Sequence, residues 1–105
     1  MLKITIHEDQ DAVAVKLEGR IAGPWAEELS RVWVETAPRV ASRKLSLDLR
    51  QVTYADANGE RVLKGIYAER EAELVASTPW TQYLAEVIKK SSADNSEEAK
   101  DGNDA

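Results

Sequence analysis

A chain of 105 residues with 43% apolar content can close one core that buries about two-thirds of its unfolded surface, but not two such cores. It has no cysteine and a single histidine, which excludes a disulfide framework and a thiolate or histidine metal cluster, so neither metal nor cofactor is expected. The formal charge of −5 is concentrated in residues 91–105, where Asp94, Glu97, Glu98, Asp101 and Asp104 face only Lys100; the rest is nearly neutral and has no basic stripe, which argues against a nucleic-acid partner.

No apolar run approaches the roughly 20 residues that cross a bilayer, and Met1 to Ile4 leads into alternation rather than a signal-peptide core. The expected location is therefore the cytoplasm, without direct membrane insertion. Leu2, Ile4 and Ile6 alternate with polar neighbours, as do Val13, Val15 and Leu17, and each set predicts a half-buried strand. Glu8 to Asp11 is a polar turn of hairpin length. After Gly19 to Gly23, Pro24 suits a first helical position, and Trp25, Leu29, Val32, Trp33 and Thr36 share one face of a helix expected to end near Thr36, before Pro38.

Leu45, Leu47 and Leu49 mark a third strand, after which Val52 to Ala55 leads to the turn Asp56-Ala57-Asn58-Gly59. Either Asp56 or Asn58 can cap the second helix, whose stripe is Val62, Leu63, Ile66, Tyr67 and Arg70. Leu74, Val75 and Ala76 predict strand four. Ser77 or Thr78 caps a third helix with Pro79 in its first turn and an apolar face of Trp80, Tyr83, Leu84, Val87 and Ile88. Helical links between strands two, three and four imply parallel, right-handed crossovers. Alternation in the first three strands leaves one face of the sheet uncovered. The expected fold is therefore α/β: a four-stranded mixed sheet in order 1-2-3-4, strand one antiparallel at an edge, and three main helices on one face. Residues 1–90 form this domain, and residues 91–105, whose only apolar side chains are alanines, are expected to be a disordered acidic tail.

The segment Leu45-Ser46-Leu47-Asp48-Leu49-Arg50-Gln51-Val52-Thr53-Tyr54-Ala55-Asp56-Ala57-Asn58-Gly59 resembles the signature of STAS domains, the module of anti-sigma factor antagonists, in which a strand runs into Asp-Ser-Ser-Gly or Asp-Ser-Thr-Gly at the start of a helix. Asp56 and Gly59 match it, and Val15 to Ile21 is similar to the family's second strand and glycine turn. The resemblance implies a protein-binding domain, not an enzyme, that contacts an anti-sigma kinase-like partner through Tyr54, Asp56, Ala57, Asn58, Glu60, Arg61 and Lys64. Asn58 stands at the position that is phosphorylated in many relatives, so the phosphoswitch is expected to be missing. Ala57, Glu60 and Ala22 also depart from the usual pattern.

Two alternatives stand beside this reading. One is a STAS subunit of a membrane transport complex of the phospholipid-trafficking ABC transporter type, with a transporter ATPase as partner; the other is a small-ligand or nucleotide-binding domain, which needs a pocket with convergent polar groups. A monomer or weak dimer is expected in each case. Asp48 and Asp56 are carboxylates without an evident facing acid, base or metal and are read as a strand-end residue and a helix cap. His7 falls on the polar side of an edge strand and is read as structural. The three tryptophans are read as core residues, with Trp25 the first suspect for exposure.

Overall fold

Alternation builds the first layer. In the computed structural model, which describes residues 1–90, β1 (Leu2–Glu8) and β2 (Ala12–Ile21) pair antiparallel, with Ile4 opposite Leu17 and Ile6 opposite Val15. Asp9 closes the hairpin, its carboxylate accepting the N–H groups of Asp11 and Ala12, each at 2.8 Å. β3 (Lys44–Ala55) and β4 (Glu73–Val75) add in parallel, giving the order β1-β2-β3-β4. Because side chains alternate along a strand, Val13, Val15, Leu17, Leu45, Leu47 and Leu49 all enter the core, while Lys3, Lys16, Glu18, Ser46 and Asp48 take the other face.

Helices α1 (Pro24–Val40), α2 (Ala57–Arg70) and α3 (79–90) cover the apolar face, and their buried side chains join those of the strands in a single cluster. The expected mixed sheet and its three helices are thus observed. The acidic tail expected over 91–105 lies outside the described residues.

Several boundaries differ from expectation. α1 runs through Pro38 to Val40 instead of stopping near Thr36. Pro38 offers no N–H to the Val34 carbonyl, and Val34 lies on the solvent side of the helix, among the exposed residues. Ala37 and Val40 are buried, so packing holds the last turn, and Arg70 donates to the carbonyls of Ala37 and Ala41 at 2.9 and 3.1 Å. Arg43 adds a bond to the Arg39 carbonyl. Tertiary partners thereby satisfy a helix end that its own sequence would fray.

β3 continues from Lys44 to Ala55 without a break, and its pairing with β2 shifts register twice. Each shift places one extra residue on β3, so its buried positions pass from Leu45, Leu47 and Leu49 to Val52 and Ala55. β4 covers Glu73–Val75, one residue before the expected Leu74 to Ala76. In α3 the buried positions are Thr81, Leu84, Ala85 and Ile88, and Tyr83 is 61% exposed, against the expectation that Tyr83 faces the core. It lies beside Trp80 at the rim, ring centroids 6.3 Å apart. Thr78 is the α3 cap, accepting the Thr81 N–H at 3.1 Å. Trp25 is half-buried against the core.

Candidate functional site

The turns that leave the C-terminal ends of β2 and β3 meet at Asp56. Its Oδ2 accepts the Gly23 N–H at 2.9 Å, its Oδ1 accepts the Gly59 N–H at 2.7 Å, and its own N–H donates to the Ile21 carbonyl at 3.2 Å. One side chain thus caps α2 and ties the entry of α2 to the entry of α1, which resolves the choice between Asp56 and Asn58 as cap. The N–H of Gly23, followed by that of Gly59, holds the Asp56 carboxyl below the ordinary aspartate range. Two glycines make this approach feasible. Gly23 sits at φ +56°, and a Cβ on Gly59 would lie 2.1 Å from the Ile21 carbonyl oxygen.

The clamp fixes which side chains face solvent. Ala57, Asn58 and Arg61 are exposed on the first turns of α2. Asn58, Arg61 and Val62 line a groove of about 440 Å³ whose other wall is Gly23, Ala26, Glu27 and Ser30. Glu60 and Lys64 are half-buried and pair at 3.8 Å. At 100° per residue they fall on the flank of α2 turned away from that groove. Tyr54 is 41% exposed on β3, under the guanidinium of Arg20, which lies 4.5 Å from its ring centroid. The seven residues expected at the interface therefore share one end of the molecule but not one surface. Ala57, Asn58 and Arg61 form its exposed centre, Asp56 is its internal brace, and Tyr54 and the Glu60–Lys64 pair flank it.

Sequence reasoning missed Arg20 and the α1 wall of the groove. The signal for Arg20 lies in register, since it pairs directly with Tyr54 across β2 and β3. That register follows two bulges and cannot be counted from alternation alone.

The remaining candidates lie apart from the Asp56 turn. Asp48 sits on the open face of the sheet with Arg50, at 2.8 and 3.0 Å, and that guanidinium holds its carboxyl below the usual range. It does not act with Asp56, which is committed to two backbone amides. His7 is exposed on β1. A second cavity of about 490 Å³ lies at the opposite end, lined by residues that include Arg43, Lys44, Arg70, Glu71 and Glu73. Its arginines are engaged with the carbonyls of Ala37, Arg39 and Ala41 at the end of α1 and with Glu8. Among the described residues no group of three or more His, Cys, Asp or Glu could hold a metal, and no helix is long and apolar enough to cross a membrane.

A one-sided α/β sandwich with β1 antiparallel at its edge and an Asp-capped helix after β3 is a STAS-like fold. It is similar to the structure of the anti-sigma factor antagonist SpoIIAA in its unphosphorylated form, with a TM-score of 0.59 and 12% identity over 78% of this chain and 80% of that one. An uncharacterized protein of the DUF3478 family with a SpoIIAA-like fold, from Shewanella loihica, superposes with a TM-score of 0.51 and 15% identity, covering 81% and 77% of the two chains. A third similar structure, Mglu, gives 0.57 and 20% identity over 71% of this chain and 19% of that one. No protein-family model and no curated protein matches the sequence.

Proposed function

We propose that the domain binds another protein through the start of α2, in the manner of an anti-sigma factor antagonist that lacks the phosphorylatable serine. The observation that supports this reading is the Asp56 clamp. It holds exposed Ala57, Asn58 and Arg61 at the start of α2, and the sequence resemblance aligns the Asn58 carboxamide with a hydroxyl of the family. An amide can imitate the unmodified hydroxyl as donor and acceptor, but it cannot take a phosphate by that chemistry. The domain then behaves as constitutively unphosphorylated, with a cytoplasmic partner that is an anti-sigma kinase-like protein or a transporter ATPase.

The test is affinity capture from the native host followed by titration of the captured partner. Asn58→Asp adds one negative charge at the contact, and Arg61→Glu reverses another. Each should weaken binding by about 1 kcal/mol or more, with the fold retained by circular dichroism. Unchanged affinity in both variants would move the interface away from α2.

A further inference from the structure

Asn58 and Gly59 form an Asn-Gly pair. In that pair the side-chain carboxamide and the following backbone nitrogen meet with the least obstruction, because glycine has no Cβ and a wide range of backbone angles. We propose that Asn58 is a site of spontaneous deamidation held latent by the Asp56 cap. In this reaction the Gly59 backbone nitrogen gives up its proton and bonds to Cγ of Asn58. The Cγ–Nδ2 bond breaks, and Nδ2 departs with a proton as ammonia. Water then opens the resulting five-membered imide at either carbonyl and leaves aspartate or isoaspartate at position 58. Water and a base suffice.

The structure supplies both the exposure and the restraint. The Asn58 side chain is open to solvent. The nitrogen that must attack is not, because Gly59 is buried and its N–H donates to the Asp56 carboxylate at 2.7 Å. A neighbouring negative charge also opposes loss of that proton. Rotating Gly59 to bring its nitrogen over Cγ of Asn58 would require the first turn of α2 to lift from β2, since the glycine is seated against the Ile21 carbonyl. One event, release of the cap, removes all three obstacles. The aspartate product would place a negative charge in the first turn, where the helix dipole favours it. Isoaspartate would insert a methylene into the backbone and break the spacing from Asp56 to Gly59. Either product brings charge to the position without a kinase.

The full chain is incubated at mildly alkaline pH, and the peptide containing residue 58 is followed by mass spectrometry for replacement of NH by O, with Asn58→Gln as the unreactive control. Folded wild type should react slowly and the urea-unfolded chain quickly. Asp56→Ala should react roughly 2- to 30-fold faster than wild type, the rise in open population expected on losing a helix cap. Asp56→Ser, which restores a cap without the charge, should react faster than wild type but more slowly than Asp56→Ala. Circular dichroism checks that each variant is folded. If Asp56→Ala unfolds, hydrogen exchange of the Gly59 N–H in wild type carries the test instead: it should be protected, and sub-denaturing urea should speed exchange and deamidation together. Equal rates in folded and urea-unfolded wild type, a folded Asp56→Ala variant at the wild-type rate, or Gly59 exchange at the free-peptide rate would each overturn the proposal. The mass readout involves no partner, so the result stands apart from whether the α2 surface binds one.

Discussion

Asp56 satisfies an orphan donor of α2, joins the two turns at the end of the parallel strands, and leaves the neighbouring Asn58 exposed. Its contribution is tied to its ionised form, because both acceptor oxygens are occupied by backbone N–H groups and its pKa in the folded protein is lowered from 3.8. A depressed folded-state pKa means the unfolded chain takes up the proton first as pH falls. The stabilisation is therefore fully present above the ordinary aspartate value and is lost as pH drops below it, through the folded value. Asp9, Glu28 and Asp48 are lowered as well, by the backbone amides of Asp11 and Ala12, by Arg31 and by Arg50 respectively, so the acid limb has several contributors. Urea midpoints measured at neutral pH and near pH 3 should differ less in Asp56→Ser than in wild type, because serine caps without titrating in that range. An equal difference in the two proteins would show that the clamp does not depend on the charge.

Along single helices, the period of the apolar residues decides most outcomes. Trp33 is 8% exposed on α1, and its Nε1 donates to Glu69 of α2 at 3.3 Å. Trp33→Ala should lower the unfolding free energy by about 3–5 kcal/mol. Tyr83→Ala on α3, where the ring is mostly in water, should stay within about 0.5 kcal/mol of wild type. Denaturant unfolding of both variants checks the contrast, and a comparable loss in the two would mean that the buried face of α3 is misplaced. Sequence pattern located the stripe of α1 correctly because Leu29, Trp33 and Thr36 recur at helical spacing. It misplaced Tyr83 because, in that helix, Thr81 and Ala85 take the buried stripe and turn Tyr83 to the rim. The hydroxyl of Thr81 is absorbed by the Ser77 and Thr78 N–H groups, at 3.0 and 2.9 Å, which lets it be buried at little cost. Strand order was legible from alternation and the helical crossovers, whereas the cap of α2 was narrowed only to Asp56 or Asn58, and the bond from the Gly59 N–H to Asp56 decides between them. The end of α1 and the Arg20–Tyr54 stack were not legible, since each depends on residues distant in sequence: Arg70 in the first case, the bulged register of β3 in the second.

At the scale of the molecule, the single core is closed by residues between Leu2 and Ile88, and every buried apolar side chain among the described residues belongs to it. Residues 91–105 bring only alanine as an apolar side chain, so they have almost nothing to add to that core by burial. They do bring most of the net negative charge, and self-repulsion of that charge acts weakly at ordinary ionic strength, where interactions between exposed groups are screened within about 10 Å. A chain ending at Lys90 should therefore keep its fold and its unfolding free energy to within about 0.5 kcal/mol, with unchanged circular dichroism and a nearly neutral net charge. The measurement is paired urea titrations at low and moderate salt. Equal midpoints at both ionic strengths identify 1–90 as the complete folding unit. A loss above about 1 kcal/mol that vanishes with added salt would instead place the acidic segment against the basic side chains of the domain, such as Lys89 and Lys90 at the end of α3. A loss that persists in salt would mean the segment contributes packing that its composition does not suggest.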